Sequence, residues 1–141
     1  MIYYLKNGWR CAISEHDEQT ALFLWAGIYQ EKFPGIELMF AVPNGGYRLA
    51  KTAKDLKEEG VKAGVPDVWL PVKGIHEGRP VVGLVIEMKF GRNGPTPEQV
   101  WWLDMLAKKS WRTVVCYSWQ AAARAICEHF MIDFEDVGLT A

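Results

Sequence analysis

Hydrophobic residues recur along this chain with two periods, and the switches between them divide it into elements. From Glu18 to about Lys32 the run EQTALFLWAGIYQEK places Leu22, Trp25, Ala26 and Tyr29 at helical spacing, which predicts a helix with one buried stripe. Ser14, followed by Asp17, resembles a capping box ahead of it. IELMFAV alternates, with Ile36, Leu38, Phe40 and Val42 on one face, so it predicts a strand that PNGG ends in a turn. RLAKTAKDLKEE predicts an amphipathic helix closed by Gly60. PDVWLPV predicts a short strand, KGIHEGR a polar turn, and PVVGLVIEMKF a longer strand returning beside the first as a hairpin. GRNGP predicts a loop. Thr96 as N-cap, Pro97 at the first helical position and Gln99 two residues later then open a helix through EQVWWLDMLAKKS. WRTVVCYS predicts a strand, WQAAARAICEHF a last helix, and MIDFEDVGLTA an acidic tail. The order α-β-α-β-β-α-β-α predicts an α/β fold, a mixed β-sheet flanked by helices. No repeat or long linker divides it, so a single domain is expected over residues 1–141.

Composition sharpens this picture at few points. Half of the 141 residues are hydrophobic and seven are tryptophan, which excludes a disordered chain. The tryptophans exceed what one small core needs, so some are candidates for an interface, although the core is the ordinary place for any one of them. No apolar run approaches the roughly 18 residues of a membrane span. MIYYLKNGWR has no signal-peptide pattern, so an intracellular, cytoplasmic protein is expected. Cys11, Cys116 and Cys127 are widely spaced and form no zinc pattern. Net charge is -1, but residues 43–112 hold twelve Lys and Arg against eight Asp and Glu. The middle of the chain can therefore carry a basic surface.

Three acids stand where apolar neighbours are expected. Glu87 sits inside LVIEMKF, on the same strand face as Lys89 and opposite Leu84, Ile86 and Met88. Asp67 opens the neighbouring strand after Pro66, and Glu18 lies one turn before Leu22 in the buried stripe. Each has an ordinary structural alternative: a helix-dipole acid for Glu18, a turn residue for Asp67, a surface pair for Glu87 and Lys89, a cap for Gln99. Together they ask for something more. Carboxylates brought together in a low dielectric repel, and a divalent cation resolves the repulsion. Asp, Glu and Lys around a metal match hydrolysis of a phosphodiester.

An acid on the first helix, PD opening a strand, ExK on its partner and Gln at a helix start resemble the VRR-NUC family, a branch of the PD-(D/E)xK nuclease superfamily. The matching segments are SEHDEQ, PNGG with Arg48, GVKAGVPDVWL, IEMK and PEQVWWLDML. The resemblance implies a restriction-endonuclease-like core and a DNA endonuclease that depends on Mg²⁺, with Mn²⁺ as substitute. It implies Asp67, Glu87 and the backbone carbonyl of Met88 as metal ligands and Lys89 as the catalytic lysine. Glu18 and Gln99 would complete the site, with Glu15 the alternative to Glu18. Asn44, Arg48, Lys51 and Lys54 are the candidates for DNA contact. Short members of the family resemble phage proteins and are similar in architecture to Holliday-junction resolvases. The expected partners are therefore branched DNA and a second copy of the chain, with no membrane and no nucleotide cofactor. Two alternatives stay open: a flap or restriction-like nuclease, and a non-catalytic DNA-binding module on the same fold.

Overall fold

A computed structural model describes residues 2–4, 10–12, 14–43 and 52–140, the first two segments through their backbone only. The chain opens with a two-stranded antiparallel ribbon, β1 (Ile2–Tyr4) and β2 (Arg10–Ala12). Helix α1 (Glu15–Ile28) follows, and its start is set by Ser14, whose hydroxyl accepts the Asp17 N–H at 3.1 Å. The predicted stripe is on its inner side: Leu22, Trp25 and Ala26 are buried.

A four-stranded mixed sheet forms the centre, in the order β3 (Phe40–Ala41), β4 (Val68–Leu70), β7 (Gly83–Met88), β8 (Trp111–Cys116). β4 runs antiparallel to β7, with Val68 opposite Ile86. β8 runs parallel to β7, with Glu87 opposite Val115. Parallel neighbours need a crossover, and α3 (Pro97–Lys108) supplies it and packs on β8.

The two sheet faces do different work. Val68, Leu70, Leu84, Ile86 and Met88 join Leu22 and Trp25 of α1 in one buried cluster. Helix α4 (Trp119–Phe130) completes that cluster with Ala122, Ala123 and Ile126, small residues that let it lie close to the sheet. Each large aliphatic group removed from water there contributes roughly 1.5–3 kcal/mol. The opposite face carries Val85, Glu87 and Lys89 and is covered by α3, whose Leu103 is buried. Because helices cover both faces, every residue of β7 is buried, and its acid is buried with it. Among the described residues, no helix is long and apolar enough to cross a membrane.

Several expectations need correction. IELMFAV is not one strand. Gly35 takes φ +97°, Ile36–Leu38 turn as a 3₁₀ helix, and only Phe40–Ala41 pair with β4. Ile36 and Met39 are buried three residues apart, the 3₁₀ period, while Leu38 and Phe40 are exposed. KGIHEGR is more than a turn: β5 (Gly74–His76) and β6 (Arg79–Val81) form a separate hairpin inserted between β4 and β7. Its two-residue loop, Glu77–Gly78, has positive φ at both positions, the geometry that matches strand twist. The acidic tail is also structured. Its carboxylates point outward on a 3₁₀ turn, Phe134–Val137, while Val137 and Leu139 are buried. The Val137 carbonyl accepts the Trp25 indole N–H at 2.8 Å. Helix α2 is short, Ala53–Glu58, with a complete Thr52–Asp55 capping box. Lys54 lies on it, exposed and 3.9 Å from Glu58. Asn44, Arg48 and Lys51 lie outside the described residues.

Candidate active site

At the end of the sheet where β4 begins and β7 finishes, the acids of the PD and ExK segments meet. Asp67 precedes β4, and its Oδ2 accepts the Met88 N–H at 2.9 Å, which ties it across to the end of β7. Glu87 is 1% exposed. Its Oε1 accepts the Gln99 side-chain amide at 2.7 Å and lies 3.8 Å from the Lys89 ammonium. Its Oε2 is buried without a hydrogen-bond partner. Lys89 is itself buried, and its backbone N–H continues the sheet to the Cys116 carbonyl at 2.8 Å.

Gln99 does two things at once. Its carbonyl oxygen accepts the Thr96 N–H at 2.8 Å and closes the capping box of α3. Its amide N–H donates to Glu87. The cap fixes the side chain, and the fixed side chain holds the acid. The approach of α3 is set by Gly64, at φ +84° in the AGVPD segment. A Cβ there would stand 2.6 Å from the Glu98 backbone, so only glycine lets the loop before Asp67 press on the first turn of α3.

A cleft of about 310 Å³ opens over this cluster, lined by Glu15, His16 and Gln19 of α1 and by Val42, Pro43, Asp67 and Met88. The α1 acid in the cleft is thus Glu15. Glu18 lies in the buried stripe as expected, but it serves the packing of two helices, because its Oε2 accepts the Trp119 N–H at the start of α4. His16 and Gln19 did not stand out in the sequence as site residues, although SEHDEQ contains them.

The model of the VRR-NUC domain matches residues 13–120, most of the chain and all of the cleft. The chain belongs to the VRR-NUC domain family. A solved structure described as a VRR_NUC domain protein is 26% identical, with a TM-score of 0.69 over 86% of this chain and 92% of that one. No curated protein matches. Membership makes this a nuclease-type domain with DNA as its class of partner. In this VRR-NUC chain, Ser14, Pro66–Asp67, Glu87–Lys89 and Gln99 all fall inside the matched span.

The electrostatics of the cluster are set by its dryness. Burial pushes the Glu87 carboxyl up to about 8, and the negative charge of Asp67 adds to this. Lys89 pulls the other way, while a proton that Glu87 would share with Asp67 and the charge of Glu15 push it further up. Two things can satisfy the orphaned Oε2: a proton shared with Asp67, or a cation. The donors are hard oxygens, which suit Mg²⁺ or Mn²⁺. Among the described residues no group of three His, Cys, Asp or Glu side chains is arranged to hold a metal ion. A fit therefore means two carboxylates and a backbone carbonyl, with water in the remaining positions, the partial hydration that Mg²⁺ favours.

Proposed function

We propose that the protein is a metal-dependent DNA endonuclease whose chemistry is carried by Asp67, Glu87 and Lys89. One observation carries the reading: Glu87 is buried, charge-crowded and lacks a partner for one oxygen. A site optimised for stability would not leave that oxygen orphaned, because an unsatisfied buried acceptor costs about 1–3 kcal/mol.

Asp67, Glu87 and the Met88 carbonyl would hold Mg²⁺, with Glu15 adding negative charge from α1. Bound there, the ion would polarise a phosphate and lower the pKa of its water. The chain's own groups do the rest. Gln99 holds Glu87 by Oε1 and so leaves Oε2 as the oxygen offered to the ion. Lys89, confined beside Glu87, neutralises charge building on the scissile phosphate and orients the attacking water. Burial strengthens both interactions by excluding bulk solvent. Asn44, Arg48, Lys51 and Lys54 would hold the DNA backbone.

Substrate and assembly follow from size. One small domain whose middle is only modestly basic contacts few phosphates and holds duplex weakly at physiological salt. A two-fold dimer doubles those contacts and matches the pseudo-symmetry of a four-way junction. The preferred substrate is accordingly branched DNA, cut by a homodimer with paired nicks on opposing strands.

The test incubates labelled junctions, flaps, linear duplex and single strands with the protein in Mg²⁺, Mn²⁺ or EDTA. Cleavage is expected with either metal and is abolished by EDTA. Lys89→Ala lowers the rate by about 10²–10⁴-fold while DNA binding persists. Undiminished cutting by Lys89→Ala would remove the lysine from the mechanism. A monomer in light scattering, together with equal cutting of linear duplex and junctions, would remove the dimer and the branched substrate but leave the nuclease.

A further inference from the structure

A second cleft, of about 500 Å³, lies between the loop that leads into Asp67 and α3. Its walls are Lys62 and Ala63 from that loop and Pro97, Glu98, Trp101 and Trp102 from α3. Both walls are fixed. The Trp102 indole N–H donates to the Ala63 carbonyl at 3.0 Å, and Gly64 packs against the Glu98 backbone. Trp101 is 56% exposed and stands edge-on to Trp102, ring centroids 5.6 Å apart and planes at 89°. A large apolar ring is thus held open to solvent on a rigid helix, and the core makes no use of it.

We propose that this cleft receives an unpaired nucleobase of the substrate, stacked on the Trp101 indole, with Lys62 at the rim taking the adjoining phosphate. The inference rests on the nuclease reading above and adds a second contact to it. Its first support is continuity. Gln99, two residues before Trp101 on α3, donates to Glu87, and the loop from Lys62 runs directly into Asp67. The same loop and the same first turn of α3 thus serve both the acid cluster and this cleft, so one strand of substrate can engage both. Its second support is chemistry. An indole face takes any base by stacking, and a paired base inside a duplex cannot offer its face. The cleft carries one cation and one anion, Lys62 and Glu98, so it cannot hold the backbone by charge alone; stacking must supply the affinity. Flaps and splayed arms are where a strand leaves the stack, and this cleft would favour them over continuous duplex.

The rival occupant is a second copy of this chain, since Val100, Trp101 and Met105 are all exposed on α3. The experiment separates the two. Binding of a labelled splayed-arm DNA with unpaired strands and of a linear duplex is measured by anisotropy in Ca²⁺, for wild type, Trp101→Ala, Trp101→Phe and Lys62→Ala. Melting and light scattering run alongside. Trp101→Ala should weaken splayed-DNA binding by about 5- to 150-fold, the range for one lost base stack. Duplex binding should stay within about two-fold, because the duplex contacts are to phosphates. Trp101→Phe should restore most of the loss, and Lys62→Ala should reduce the salt dependence. An equal loss on both DNAs, no loss on either, or conversion of a dimer to a monomer by Trp101→Ala would each overturn the proposal and leave the nuclease reading standing. A wild-type protein that neither binds nor cuts any DNA would overturn both.

Discussion

Two buried glutamates, Glu18 and Glu87, lie on opposite sides of the central sheet. They are 8% and 1% exposed, and burial raises the pKa of both. Glu18 sits in the seam between α1 and α4. The Trp119 N–H at the head of α4 satisfies it, and that hydrogen bond draws its pKa back down against burial and the neighbouring Asp17. It is an acid at a helix N-terminus, where free N–H groups favour negative charge. Glu87 has the Gln99 amide and the Lys89 ammonium near one oxygen and no N–H donor for the other, while its remaining charged neighbours, Asp67 and Glu15, are acids. Burial alone therefore does not distinguish a site from a structural contact. What distinguishes them is whether the fold finishes the hydrogen bonding of the acid it buries.

The sharpest break of this comparison is a pair of substitutions. Glu87→Gln removes the carboxylate that the ion would need, at a position where the fold leaves one oxygen without a donor. It should lower cleavage by at least about 10²-fold, the lower range for loss of a catalytic group, and leave melting in EDTA unchanged or higher. Glu18→Ala leaves the Trp119 N–H unsatisfied, costs about 1–3 kcal/mol and lowers Tm by several degrees, while cleavage per folded molecule is retained. Melting curves and nicking rates on the same two proteins check both. If the two variants exchange these outcomes, the assignments exchange as well.

Much of the fold could be read from periodicity, because α1, β7, α3, β8 and α4 bury continuous stripes or whole strands. Periodicity misleads where burial is achieved by short pieces. Residues 36–39 use a 3₁₀ turn that alternation imitates, and the terminal segment hides two apolar residues among acids. For the candidate site, Asp67, Glu87 and Lys89 stand out because charge in an apolar frame is conspicuous, whereas Gln99, a neutral residue in a capping position, is singled out by the family resemblance. Glu15 and Glu18 could not be separated that way. They lie one turn apart, and the stripe argument selects whichever acid is more buried. In this helix the more buried acid, Glu18, serves the seam, while the half-buried Glu15 lines the cleft.

A smaller effect tests Glu87 by pH. Its pKa is about 8 in the folded protein against an ordinary 4.5, so the folded state binds more protons than the unfolded state between those values. Stability in EDTA should therefore fall as pH rises from about 5 to 8, by up to about 1.4 kcal/mol per pH unit. Glu18 contributes in the same direction, so the Glu87 share is the slope lost in Glu87→Gln. Saturating Mg²⁺ replaces the proton and should flatten the slope, releasing close to one proton per ion bound near pH 7. Tm measured against pH with and without Mg²⁺ reads this, and an identical slope in Glu87→Gln would place the titration elsewhere.

The smallest effect concerns which α1 acid serves the ion. Glu15 is half-buried, lines the cleft and acts on Glu87 through charge. A partly solvated charge of this kind contributes under about 1 kcal/mol. Glu15→Gln should therefore raise the Mg²⁺ concentration for half of the thermal shift by about two- to five-fold, without changing the shift at saturation. Glu18→Gln keeps an oxygen for the Trp119 N–H and removes only the charge. Glu18 faces the α1–α4 seam, so this change should leave the Mg²⁺ titration where it was. The comparison is made within one helix and one substitution type, so propensity and side-chain volume cancel. A titration that moves with Glu18→Gln and not with Glu15→Gln would return the metal role to Glu18, and the contact with Trp119 would then be a second function of the same carboxylate.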